Sequence, residues 1–168
     1  MSLSTVHRIL VIEDDEQFVE LVQRILKSDY LGNVEISVAY DLATAKKRIA
    51  TAPYDAILLD LTLPDSKGLH TVYEVVRCIP GVIPVVVAMS GWEQSLQEQE
   101  EMIRLGANTF ILKEEIASMS PGFLRRIISY AYLRVTQQML DLTKSWEELV
   151  KQIKDESGVD AEDHTMGI

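Results

Sequence analysis

The sequence predicts a doubly wound α/β fold, in which five short strands alternate with five helices around one parallel sheet. Two observations carry this. Apolar runs such as Ile9-Leu10-Val11-Ile12 and Ala56-Ile57-Leu58-Leu59 are apolar at every position, as strands buried on both faces require. Each run is followed by a segment with helical spacing, so successive strands must be joined by crossover helices that cover both faces.

The elements read in order as follows. Ile9 to Ile12 forms the first strand and ends abruptly in Glu13-Asp14-Asp15. Phe18, Leu21, Val22, Ile25 and Leu26 place an amphipathic helix up to about Asp29, and Gly32-Asn33 marks a turn. Val34 to Ala39 is the second strand. Asp41 caps a helix running to about Thr51, which Pro53 ends. Ala56 to Asp60 is the third strand, followed by a loop containing Pro64 and Gly68. A helix spans about Leu69 to Cys78, stopped by Pro80-Gly81. Pro84 to Met89 is the fourth strand, ending at Ser90-Gly91. A glutamate-rich helix covers about Glu93 to Leu105, with Gly106 where a left-handed cap is wanted. Thr109 to Leu112 is the fifth strand, ending at Lys113, and a last helix begins near Pro121.

Composition narrows the function. The chain has 168 residues, 47% hydrophobic and 25% charged, as in an ordinary soluble domain with an appendage. A formal net charge of -10 disfavours broad contact with nucleic acid or anionic lipid, so neither is expected as a partner. Cys78 is the single cysteine, which excludes an internal disulfide and a cysteine zinc site and suits a reducing cytoplasm. No apolar run is long enough to span a bilayer, and the start lacks a signal-peptide core; residues 1–7 read as a leader or tag remnant. His7, His70 and His164 are scattered and suggest no metal site, and no glycine-rich nucleotide loop is present.

In doubly wound sheets the site lies outside the carboxyl ends of the strands. Glu13, Asp14, Asp60, Ser90 and Lys113 all fall there. Singly, each has an ordinary reading: the acidic triplet suits a helix N-terminus, Asp60 a loop cap, Lys113 a solvated lysine. Jointly they form a constellation. Three carboxylates brought together repel, at about 4 kcal/mol per pair at 4 Å near a protein surface. A divalent cation such as Mg²⁺, which prefers oxygen ligands, removes that cost. A carboxylate standing alone on its strand can attack phosphorus, and an ammonium and a hydroxyl can then hold the phosphoryl oxygens.

At these residues the chain resembles the response-regulator receiver domains of two-component signalling, of the kind found alone or attached to sensor kinases. The match consists of Glu13-Asp14, Asp60, Ser90-Gly91 and Lys113 after successive strands, the Pro64 and Gly68 of the loop after Asp60, and Ser90 thirty positions past Asp60. It covers about Arg8 to Tyr132. The resemblance implies a flavodoxin-like sheet of order 2-1-3-4-5. It implies that Asp60 takes a phosphoryl group from the phosphohistidine of a partner histidine kinase or histidine phosphotransfer protein. It implies Mg²⁺ held by Asp14 and Asp60, by Glu13 through water and by the Thr62 backbone carbonyl, with Asp15 outside the usual pair. Lys113 and Ser90 would hold the phosphoryl group, and Phe110 would follow Ser90 inward as an aromatic switch; the alternative for Phe110 is a plain core aromatic. Thr62 and Trp92 fall where the family tunes dephosphorylation. Many members have Pro after the lysine, whereas Glu114 stands here, which puts the loop's shape in question.

Beyond the receiver at 8–132, residues 133–156 read as a helical extension able to form a coiled coil and a homodimer. Ile128, Ala131 and Val135 begin its apolar seam, and Met139, Leu142, Trp146, Leu149 and Ile153 continue it. The step from Val135 through Met139 to Leu142 is expected to disturb the heptad slightly. The alternatives are a connector to an output domain or a helix folded back on its own domain. Residues 157–168 read as a disordered acidic tail. After Pro121 there are 6 Lys/Arg against 8 Asp/Glu, which fits no DNA-binding module. Two rivals remain. One is a receiver-like scaffold or dimerisation module that is never phosphorylated. The other is an aspartate-nucleophile phosphatase, which would want an acid where Thr62 stands. The chain is therefore not expected to be an enzyme beyond self-phosphorylation from small phosphodonors and autodephosphorylation.

Overall fold

The computed structural model describes residues 6–31, 33–81, 84–118 and 120–157, the last five by their backbone alone. Of the tail expected at 157–168, Ser157 is the last residue of a helix, and residues 158–168, like the first five of the expected leader, lie outside the described residues. The chain forms two units, residues 1–132 and 133–168.

The first unit contains β1 (His7–Ile12), α1 (Glu16–Asp29), β2 (Val34–Ala39), α2 (Leu42–Thr51), β3 (Ala56–Asp60), β4 (Thr62–Leu63), β5 (Ser66–Lys67), α3 (Leu69–Arg77), β6 (Val85–Ser90), α4 (Leu96–Arg104), β7 (Thr109–Leu112) and α5 (Lys113–Ser118). It also contains the start of α6 (Phe123–Ser157). β1 begins at His7, which pairs with Val34, one residue inside the segment read as a leader. The main sheet has the order β2-β1-β3-β6-β7 with every pair parallel. Counting only these five strands, the order is the expected 2-1-3-4-5.

Two apolar layers show why the strands carry no polar alternation. Ile9, Val11, Leu58, Val87 and Met89 face Val19, Val22 and Leu26 of α1 together with Leu124, Ile128 and Ala131 of α6. Leu10, Ile12, Ile57, Leu59, Val86 and Ala88 face the opposite way, onto Leu42, Ala45 and Ile49 of α2, Val72 and Val75 of α3 and Met102 of α4. Burying a Val, Leu or Ile side chain contributes about 1.5–3 kcal/mol, so both faces of each strand stabilise the fold.

Local signals fix the helix starts. Asp15 caps α1, accepting from the Gln17 and Phe18 amides. Asp41 caps α2 through the Thr44 amide, as the sequence predicts. α4 starts at Leu96 rather than near Glu93, because Ser95 and Glu98 form a reciprocal capping box. Two elements have no counterpart in the sequence reading, namely the β4–β5 hairpin inside the loop after β3 and the short helix α5. α6 starts at Phe123, where the buried Asp29 carboxylate at the end of α1 accepts from the Gly122 amide at 2.6 Å and the Arg125 amide at 3.3 Å.

Ile128 and Ala131, with which the sequence reading begins the apolar seam, are buried in the first unit's core. In the second unit Leu133, Met139, Leu140, Leu142, Trp146 and Leu149 of α6 are all exposed. Among the described residues no helix is long and apolar enough to cross a membrane.

Gly106 follows α4 with φ +110°, and a Cβ there would lie 2.9 Å from Val76 Cγ1. Gly106→Ala therefore combines backbone strain with a clash onto α3, and should lower stability by about 2–3 kcal/mol in urea unfolding. An unchanged midpoint would mean that α3 is free to give way there.

Candidate functional site

Four strand ends of the main sheet converge on one edge. β1 delivers Glu13 and Asp14, β3 delivers Asp60, β6 delivers Ser90 and β7 delivers Lys113 as the first residue of α5. The acidic triplet divides into three separate jobs. Glu13 is fully buried, Asp14 is exposed, and Asp15 turns away to cap α1. One carboxylate oxygen each from Glu13, Asp14 and Asp60 lie within 4.8 Å of one another.

Lys113 links two of these acids. Its Nζ donates to Glu13 Oε1 at 2.8 Å and lies 3.0 Å from Asp60 Oδ2. It also lies 2.7 Å from Glu13 Oε2, but without hydrogen-bond geometry, and among the described residues that buried oxygen accepts no hydrogen bond. The Phe18 ring, 5.1 Å from Nζ, covers another side of the ammonium. Glu13 Oε1 also accepts from the Asp15 amide, and Asp60 Oδ1 accepts from the Thr62 amide at 3.1 Å.

Burial sets the electrostatics. Desolvation pushes Glu13 up to about 7, against the Lys113 hydrogen bond and with the Asp60 charge adding to the rise. Asp60 is raised too, first by burial, with Lys113 and the Thr62 amide opposing and Asp14 assisting. For Lys113 burial works downward, but its bonds to Glu13 and Asp60 outweigh it and hold the ammonium charged. With the acids ionised, three carboxylates face one ammonium, and the surplus charge matches a divalent cation. The exposed Asp14 and the unsatisfied Glu13 Oε2 are oxygen donors of the kind Mg²⁺ takes, so the residues present fit such an ion.

Ser90 is buried at the end of β6, and its Oγ accepts from the Trp92 amide and the Gln94 side chain, each at 3.2 Å. Phe110 is half-buried on β7 and packs on the layer that contains Leu10 and Ala88. A Cβ at Gly91 would meet nothing within 4 Å, so the space beside Ser90 is open. Where Pro was missing after Lys113, Glu114 and Glu115 open α5, and Glu115 accepts from the Leu112 amide at 3.0 Å.

Sequence reasoning missed the residues that hold the loop after Asp60. Asp65 spans to α2, accepting from the Leu42 amide at 2.8 Å and the Ala43 amide at 3.0 Å. Ser66 and Thr71 share a buried hydrogen bond of 2.7 Å. Gly68, at φ +59°, donates to the Leu61 carbonyl and closes the loop. Only the positive φ of Gly68 has a sequence signal; nothing local to Asp65 points at a helix end more than twenty residues away.

The sheet order and this edge are those of the response regulator receiver domain. That family matches residues 9–119, and the chain belongs to it. The transcriptional regulatory protein QseB of Haemophilus influenzae is 29% identical over 146 residues, 82% of this chain and 62% of QseB. The chain spans only about a third of the protein-glutamate methylesterase relatives it matches. A CheY-like receiver domain protein from Methanospirillum hungatei superposes with a TM-score of 0.63 at 21% identity, covering 79% of this chain and 98% of that one. A response regulator from Burkholderia pseudomallei, solved with a phosphorylated aspartic acid, calcium ion and citrate, gives 0.61 at 18% identity, covering 92% and 87%.

The raised acids make stability depend on pH. The folded state holds the Glu13 proton more tightly than the unfolded chain does. Its contribution is therefore complete below about 4.5 and is lost as pH rises through about 7. Asp60 acts in the same sense. Metal-free protein should thus unfold at lower urea at pH 8 than at pH 5.5, and Glu13→Gln should flatten the dependence. An unchanged slope in the variant would show that Glu13 already ionises normally.

Proposed function

We propose that this receiver domain is a phosphoacceptor, with Asp60 as the phosphorylated side chain and a histidine kinase or histidine phosphotransfer protein as its donor. The single observation that carries the reading is the Lys113 ammonium set 3.0 Å from a buried Asp60 among two further acids. An Asp60 carboxylate oxygen attacks phosphorus, the P–N bond to the donor imidazole breaks, and the imidazole leaves with the bonding pair. Mg²⁺, when bound, supplies positive charge against both the acids and the developing phosphoryl charge. Asp14, Asp60, Glu13 and the Thr62 backbone carbonyl would hold it.

Lys113 then exchanges its Asp60 contact for a phosphoryl oxygen while keeping Glu13, which orients it. The Ser90 Oγ uses its lone pairs on Trp92 and Gln94, leaving its own proton to donate to a second phosphoryl oxygen. Phe110, half-buried on β7 and paired with Ala88 of β6, moves inward in this reading as Ser90 is drawn over, and so carries the change to the surface. A cytoplasmic location goes with this reading, and the free Cys78 is compatible with it. The phosphorylated aspartic acid of the Burkholderia regulator supports the reading by analogy of fold.

With Mg²⁺ and acetyl phosphate, wild-type protein should gain one phosphoryl mass and Asp60→Asn none, measured by intact mass spectrometry. Lys113→Ala should cut the rate by about a hundredfold, the scale of one lost transition-state charge contact. A wild-type chain that never gains mass would favour the non-phosphorylated scaffold. Trp92, 62% exposed two residues past Ser90, restricts water's approach to the phosphoryl group. Trp92→Ala should therefore shorten the phosphate's lifetime several-fold, and an unchanged decay rate would refute that role.

A further inference from the structure

We propose that the part of α6 in the second unit binds a second copy of this chain, seam to seam, as a two-stranded coiled coil. From Val135 the apolar positions step by four, three, four and three through Met139, Leu142 and Trp146 to Leu149. This is an unbroken heptad, so the disturbance expected from sequence at Met139 is absent. Met139, Leu142, Trp146 and Leu149 are 63%, 71%, 64% and 45% exposed, so this stripe is uncovered along α6.

The period says what covers it. A helix seated on a sheet or in a globular groove needs a broad stripe at the 3.6-residue period. A narrow stripe repeating every 3.5 residues stays in register only with a helix carrying the same repeat, supercoiled around it. The distribution of charge then chooses the partner. Arg134, Asp141, Lys144, Glu147, Glu148 and Lys151 all fall on positions pointing away from the seam. The positions flanking the seam are Thr136, Gln138, Thr143, Ser145, Val150 and Gln152, and none is charged. Flanking charges are what select an unlike partner and repel a like one. Residues 133–152 carry three Lys/Arg against three Asp/Glu, so two identical helices meet here without net repulsion although the whole chain has a net charge of -10. Leu142 and Leu149 alternate along the seam with Met139 and Trp146. Leu133 and Leu140, also exposed, stand off this seam, and a helix this long gains most of its stability from packing.

The inference does not depend on Asp60 chemistry, and its test reads association alone. Sedimentation equilibrium of the full chain over a range of concentrations should show a monomer–dimer equilibrium. Leu142→Glu combined with Leu149→Glu should weaken it on the order of a hundredfold or more, since buried anchors dominate such interfaces. Lys144→Glu, on the outer side, should leave it within about twofold. Circular dichroism and urea unfolding check that the variants keep the first unit folded. A wild-type chain that stays monomeric throughout would overturn the proposal. So would a doubly substituted chain that is folded and still dimerises as the wild type does, because the interface would then lie elsewhere.

Discussion

Lys113 reaches from the start of α5 to two carboxylates that the fold has withdrawn from water, Glu13 at 2.7 Å and Asp60 at 3.0 Å. Removing charged groups from solvent costs several kcal/mol each, and an attraction between them offsets that only with close geometry. Here the geometry is close, yet one ammonium cannot satisfy two acids and a neighbouring third. Burial, opposed only in part by Lys113, leaves both carboxyl groups shifted upward. Glu13 Oε2, buried 2.7 Å from Lys113 Nζ, accepts no hydrogen bond among the described residues, and Asp14 is exposed at the same edge.

The rest of the fold serves that edge. β1, β3 and β6 are sealed on both faces, so their directions are fixed by two apolar layers rather than one. That rigidity brings residues from remote parts of the sequence within hydrogen-bond distance. The loop after Asp60 is held just as firmly. The β4–β5 hairpin, the Gly68 closure and the Asp65 grip on α2 together present the Thr62 amide to Asp60. Asp65 and Asp41 between them satisfy the amides of the first three residues of α2, so one helix end and the loop after Asp60 are tied as one piece.

The strands were legible because both-face burial writes itself as runs of Val, Ile and Leu ending at polar residues, a pattern hard to produce otherwise. The convergence of Glu13, Asp14, Asp60 and Lys113 followed from topology alone, because strand ends of one parallel sheet share an edge. What stayed illegible depends on partners distant in sequence or on cap chemistry. Ser95 with Glu98 moved the start of α4, since a reciprocal cap outweighs the helical propensity of Glu93 and Gln94. Nothing in Lys113-Glu114-Glu115 alone distinguishes a loop from a helical turn; the Glu115 carboxylate folding back on the Leu112 amide decides it. Ile128 and Ala131 share spacing with the exposed seam, but the sheet claims them first.

The chain has two tryptophans, and the fold assigns them to different territories. Trp92 offers its backbone N–H to the Ser90 hydroxyl, while Trp146 lies on the bare stripe of the second unit. Each indole is solvated where it stands, so its emission answers to whatever arrives to cover or displace it. The protein thus carries one native optical probe beside its acidic edge and another on its long helix, and replacing either with phenylalanine isolates the other's signal.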